Sequence, residues 1–212
     1  MWITVLVFST LFVVGDATKS KVKFTEKGKM NITAVHNVYR SRIAKGATIN
    51  GVPVGPAQNM NLLKWSDKLA ASAQEHSITC PDYHSRNLKA GENIYMQTGM
   101  KKHESVDRLG LRAVSSWYNE IVSYGWPSVK FNSTTHAKIG HATQVLWSSV
   151  REVGCGVSTC NKEGGLETVH VVCHYFPSGN VENNDIFRAG EKCTYCSRLN
   201  LLKCHQGLCV LK

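Results

Sequence analysis

Eight cysteines constrain this chain more than any other feature of it. Cys80, Cys155, Cys160, Cys173, Cys193, Cys196, Cys204 and Cys209 form an even set, and the last four crowd into the final 24 residues. Such a set suits four disulfides made in an oxidising compartment. The rival use is a zinc ribbon, since Cys193 and Cys196 are spaced as half of one. The return pair, Cys204 and Cys209, has the wrong spacing for the second half, so the disulfide reading prevails.

The opening residues agree on the compartment. Trp2 to Val14 holds ten apolar residues in thirteen and no charge, and the small residues Gly15 and Ala17 follow. This run is too short to span a bilayer and reads as a secretory leader cleaved near Ala17. Removing residues 1–17 from 212 leaves 195, and the loss of Asp16 takes the formal charge from +10 to +11. Secretion makes chromosomal nucleic acid a poor partner. The basic charge points instead to anionic membrane surfaces, acidic glycans or acidic protein patches. No later stretch approaches the length of a membrane span. At 42% apolar and 19% charged residues the chain can bury a core, which excludes a disordered tail, a collagen-like fibre and a coiled coil. Sequons at Asn31 and Asn132 are candidate glycan sites.

Periodicity divides the rest. Residues 18–30 are Lys-rich and read as a solvated lead-in. Ile32, Val35, Tyr39 and Ile43 predict a helix ending at Gly46. Residues 48–59, with two prolines and two glycines, read as loop. Leu62, Trp65, Leu69, Ala73 and His76 predict a second helix, which puts His76 at the end of a buried face. Val106, Leu109, Ala113, Trp117 and Ile121 predict a third, with Glu120 one position off the stripe. A loop over 123–140 and a short apolar run at Val145–Trp147 follow. Val153, Cys155 and Val157 alternate, as do Val169, Val171, Cys173 and Tyr175, with Gly164-Gly165 between them. A hairpin centred on residue 164 sets Cys155 opposite Cys173, which makes them a cross-strand bridge and leaves Cys80 for Cys160. Residues 189–212, with four cysteines and little apolar patterning, read as a stapled extension.

Three segments carry a resemblance. Gly140-His141-Ala142-Thr143-Gln144-Val145-Leu146-Trp147 and the run from His170 to Asn180 (HVVCHYFPSGN) resemble the two signature motifs of the CAP superfamily, also called SCP/TAPS proteins. His36-Asn37 with Arg40, Gly91-Glu92-Asn93-Ile94-Tyr95 and Trp117-Tyr118-Asn119-Glu120 match in the family's order. With the terminal cysteine cluster, the chain is most similar to the nematode venom-allergen-like, or activation-associated, secreted proteins. The resemblance implies an α/β fold, a three-layer α/β/α sandwich over residues 31–188, and a hinge-like extension over 189–212 pairing Cys193 with Cys204 and Cys196 with Cys209. Ala142 departs from the family's aromatic residue, a change that would open space beside the site.

The resemblance also implies a cleft tetrad of His76, Glu92, Glu120 and His141. Two neutral imidazoles, His76 and His141, could hold a divalent metal such as zinc weakly, with the two carboxylates orienting the rings. A plain buried polar network is the competing account. Between Glu120 and His141, Tyr124, Trp126 and Phe131 fit the aromatic pattern that sterol-binding members carry, although three loop aromatics also commonly pack on their own core. Gln144 and Asn93 are expected to bond locally. His103, His136, His170, His174 and His205 receive no role, and His174, alternating away from Cys173, is expected to face solvent. Taken together, these features predict a non-enzymatic extracellular binder of a lipid, a sterol or a host protein, an allergen-like or immunomodulatory effector. Rivals are a metal-dependent hydrolase using Glu92 or Glu120 as base, though no HExxH or nucleophile motif is present, and a pure ligand for a receptor or ion channel.

Overall fold

The structure, a computed structural model, describes residues 22–99, 104–161, 167–198 and 202–211. The expected leader, His103 and the expected turn at Gly164-Gly165 lie outside them. Four strands form the central sheet in the order β3-β5-β6-β4, where β3 is Lys64–Trp65, β4 Gly91–Thr98, β5 Glu152–Asn161 and β6 Glu167–Phe176. Only β3 runs parallel to its neighbour. Cys155 stands opposite Cys173 in the β5–β6 register, and the two are bonded, as the hairpin symmetry predicts. Cys80 bonds Cys160.

Helix α2 (Asp67–Ser77) covers one face of the sheet. Gly154 and Gly156 make this close approach possible. A Cβ on Gly154 would lie 2.2 Å from Ala70 N, and one on Gly156 2.4 Å from Gln74 Cα, both too close for any side chain. Gln74 completes the seam, donating to Val157 O at 2.7 Å and accepting from Val157 N at 3.1 Å. Helices α1 (Glu26–Ala44), α3 (Val106–Tyr124) and α4 (Gly140–Leu146) pack on the other face, where Ile32, Leu109, Ala113, Ile121, Leu146 and Val171 are fully buried. The result is the three-layer α/β/α sandwich that the motifs imply.

Several boundaries differ from the sequence reading. Helix α1 starts at Glu26, within the segment expected as lead-in. Thr25 caps it through Gly28 N, and Asp107 of α3 accepts from both Thr25 N and Thr25 Oγ1. The expected loop at 48–59 contains a hairpin of β1 (Ala47–Ile49) and β2 (Val52–Val54). Its turn, Asn50-Gly51, has both φ values positive, at 50° and 81°, as a type I′ turn demands. Helix α2 begins at Asp67 because Lys64 and Trp65 pair with β5 instead.

The extension carries α5 (Thr194–Arg198), β7 (Leu202–His205) and β8 (Leu208–Leu211), with the bridges Cys193–Cys204 and Cys196–Cys209. It is joined to the main domain by backbone bonds: Cys209 N donates to Met60 O, Leu62 N to Cys209 O and Tyr195 N to Gln58 O. No helix among the described residues is long and apolar enough to cross a membrane.

Candidate functional site

Glu92 is the second residue of β4, where alternation turns it toward the α2 layer. Its side chain is 4% exposed. Four donors meet its carboxylate: Ser85 N and His84 Nδ1 at 2.8 Å on Oε1, with Ser85 Oγ at 2.6 Å and His174 Nε2 at 2.8 Å on Oε2. His76, in the last turn of α2, approaches Oε2 to 3.7 Å through Nε2 and donates from that atom to the Tyr83 carbonyl at 3.0 Å. Burial pushes the Glu92 pKa up, but the bonds from His174, His84 and Ser85 outweigh it and hold the carboxyl well below the usual range. The same bond raises the pKa of His84.

The second pair joins α3 to α4. His141 Nδ1 donates to Glu120 Oε1 at 2.6 Å, and Ala142 N donates to Oε2 at 3.0 Å. The Trp117 ring lies along His141 with centroids 6.2 Å apart. With Nδ1 committed to a carboxylate, Nε2 is the ring atom left for a ligand, and the side chain is 36% exposed. Asn93, next to Glu92 on β4, donates to His141 O at 3.1 Å. Ala142, expected to open space, is fully buried.

The structure places His76 beside Glu92 and His141 beside Glu120, two His–Glu pairs in which each imidazole has its own carboxylate. No three His, Cys, Asp or Glu side chains among the described residues are grouped to hold a metal. The donor chemistry of His141 fits a metal ligand, its Nδ1 anchored as metal-binding imidazoles usually are. His76 fits only on releasing the Tyr83 carbonyl.

Three participants were not anticipated. His84 and Ser85 come from the loop after α2, and His174, expected to face solvent, is 1% exposed beneath α2. Asn93 and Gln144 bond far along the chain, Gln144 Oε1 accepting from Gly179 N at 3.2 Å. His136 is buried against Ser128 O and Asn132, and His170 reaches Pro81 O at 3.1 Å. Of the loop aromatics, Tyr124 is 62% exposed, Trp126 is half-buried and stacked on Phe187 with centroids 5.8 Å apart, and Phe131 is 5% exposed against Trp147 and His136. Asn31 is exposed on α1, whereas the Asn132 amide donates to Glu182 at 2.8 Å.

A disulfide-bonded α/β/α sandwich with two His–Glu pairs, one at the start of β4 and one between α3 and α4, defines a class of protein. The chain belongs to the CAP, or Cysteine-rich secretory protein, family, whose model matches residues 33–175. It is venom-allergen-like: it is 34% identical over 175 residues to Venom allergen 5 of Microctonus hyperodae, covering 78% of this chain and 73% of that one. A Cysteine-rich venom protein of Tityus serrulatus is 30% identical over 88% of this chain, which spans 47% of that longer protein. The crystal structure of NaASP2 with Zn2+ superposes with a TM-score of 0.76 at 27% identity, covering 88% of this chain and 96% of NaASP2.

Proposed function

We propose that the protein is secreted and acts outside the cell by binding, not by catalysis. The observation that carries this reading is the state of the carboxylates. A general base needs a free lone pair near a water or substrate proton, yet Glu92 already accepts from four donors, which fill a carboxylate's acceptor sites, and each Glu120 oxygen is held by a donor of α4. Every cysteine is in a disulfide, so no thiol nucleophile remains. Secretion is supported by the apolar leader, the four disulfides and the venom relatives.

The ligand is a lipid or sterol seated at the 124–131 loop. Tyr124 and Trp126 offer an aromatic ledge, and the buried Phe131 shares the His136 ring with Trp126, Trp126 lying edge-on to it and Phe131 tilted against it. Zinc is a second, weak ligand, held by His141 and His76; NaASP2 with zinc supports this by analogy. One paired experiment tests both. Trp126→Ala is expected to lose radiolabelled-sterol binding by roughly ten- to a hundredfold while keeping zinc uptake, and His141→Ala to do the reverse. If Trp126→Ala binds sterol like the wild type, the loop is ordinary packing, and the protein is better read as a ligand for a host extracellular protein.

A further inference from the structure

The extension and the main domain enclose a cleft of about 700 Å³ that contains neither His–Glu pair nor any aromatic of the 124–131 loop. Three cations line it: Lys64, Arg151 and Arg188, all exposed. No carboxylate among the described residues forms an ion pair with any of them. Glu152, the register partner of Lys64, is the one acid in the lining and leaves the cleft with net positive charge. Asn59, Asn61 and Ser149 add neutral polar groups, and the rest of the wall is apolar or aromatic. Phe176 and Tyr195, unusually open for aromatics at 49% and 39%, stand there with Leu62 and Val210. The Arg188 guanidinium lies 5.8 Å above the Tyr195 ring, so cation and aromatic face the same space.

The cleft is built rather than incidental. Beneath it, the buried Arg40 donates to the carbonyls of Asn61, Ser148 and Val150 and so fixes the segments that carry its floor. On the opposite wall the Cys196–Cys209 bridge ties Tyr195 to β8, and Cys209 N is hydrogen-bonded to Met60 O at 2.7 Å. A site whose walls are held before the ligand arrives loses little ordering entropy on binding.

We propose that this cleft binds a single-chain amphiphile with an anionic head group. The head lies among Arg151, Arg188 and Lys64, and the chain runs along Phe176, Tyr195, Leu62 and Val210. A sulfated glycan would satisfy the cations and leave the apolar wall wet, and a neutral sterol would leave the cations unpaired, so neither uses both halves. The volume suits a molecule of this size. The site is separate from the 124–131 loop, and the proposal stands whether or not that loop binds sterol.

Titration calorimetry on the full secreted chain, below the micelle concentration of each probe, tests this. Laurate and dodecyl phosphate, which differ in head group, are both expected to bind at least tenfold more tightly than dodecyl maltoside. Removing one charge-assisted hydrogen bond to the head group weakens binding about tenfold. The Arg151→Glu/Arg188→Glu variant should therefore weaken both anionic probes about a hundredfold and Lys64→Glu about tenfold. Tyr195→Ser should weaken them through the chain, and Trp126→Ala should not. Far-UV circular dichroism and disulfide mapping check that each variant folds, and Lys64→Glu, whose change is confined to an exposed side chain, serves if the double variant does not. Equal binding of the maltoside, or anionic binding unchanged in both charge-reversal variants, overturns the proposal. So does a heparin-derived oligosaccharide that binds where the dodecyl chains do not.

Discussion

Neighbouring residues on the central strands supply two buried polar clusters on opposite faces of the same sheet, and the two clusters follow different rules. Asn93 and Tyr175 turn toward α1, while Glu92 and His174, one position away in each strand, turn toward α2. On the α1 side the chain of bonds is closed and keeps one charge state near neutral pH. Asn93 donates to the Tyr175 hydroxyl at 3.3 Å, that hydroxyl donates to His36 Nε2 at 3.0 Å, and His36 Nδ1 donates to Ile32 O at 2.8 Å. Every donor has an acceptor only while His36 is neutral. One turn on, Arg40 gives its guanidinium to five backbone carbonyls and no carboxylate. Burial lowers its pKa to about 9, so it keeps its proton at neutral pH. On the α2 side the centre is an anion ringed by imidazoles, one of them, His84, 64% exposed. The first cluster defines the architecture. The second answers to solvent.

The largest effect expected from breaking this contrast is at Arg40. Arg40→Met removes the donor for the carbonyls of Asn61, Val145, Trp147, Ser148 and Val150, which lie in the last turn of α4 and in the irregular segments beside it. Each buried carbonyl left without its donor costs about 1–3 kcal/mol, and five are affected, so denaturant unfolding should show a marginal or unfolded variant. A loss under about 1 kcal/mol would mean that those turns hold themselves.

His36 comes next, and the sign follows from its environment. Desolvation lowers its pKa from 6.5 to about 4. A base with a depressed folded pKa contributes stability that is present above pH 6.5 and lost as pH falls through about 4. A shift of that size corresponds to about 3 kcal/mol. The wild type should therefore lose about that much stability between pH 7 and pH 4, and His36→Gln, which cannot be protonated, should show a much flatter profile. Equal slopes in the two proteins would place the acid sensitivity elsewhere.

Glu92→Gln probes the other cluster and should cost less, about 1–3 kcal/mol at pH 7, because the exposed His84 ring can turn to water and the amide can still meet the buried His174. Glu92 has a depressed folded pKa, so its contribution is present above the ordinary carboxyl value of about 4.3 and lost as pH falls further. Wild type and variant should converge in chemical denaturation below that pH. A gap that persists there would show that the residue acts through shape and not charge.

The contrast also explains which parts of the molecule are legible in its sequence. Cys155 and Cys173 can be paired because a hairpin has one symmetric register, and the α1 face is readable because Val153, Cys155, Val157, Val169, Val171, Cys173 and Tyr175 alternate without interruption. That same alternation misplaces His174: a residue opposite a buried one faces solvent only where nothing covers the second face. Gly154 and Gly156, opposite His174 and Val172, are the signal that a helix lies there, since small residues at alternate positions admit a helix backbone. The tetrad comes from the motif resemblance. Its partners His84 and Ser85 lie in a loop without periodicity, where only tertiary packing selects them. The β1–β2 hairpin is hidden in a stretch whose prolines suggest loop, although Asn50-Gly51 is itself a turn signal.

The smallest expected effect is the one that separates the clusters by direction. The hydrogen bond to Glu92 raises the His84 pKa, so its contribution is fully present below the free-histidine value of about 6.5 and is lost as pH rises above it. This is opposite in sign to His36, which gains over the same upward step. Because the His84 side chain is 64% exposed, solvent screens the pair, and the contribution should be a few tenths of a kcal/mol. It should also shrink with added salt, while the buried His36 slope should not. Thermal midpoints at pH 6 and pH 8 for the wild type and His84→Ala, at low and high salt, measure this. The variant should gain more stability than the wild type on going from pH 6 to pH 8, and high salt should narrow that difference. If the difference is absent at low salt, or unmoved by salt, the ring at His84 does not pair with Glu92 as a charge, and the α2-side cluster is as insulated from solvent as the α1 side.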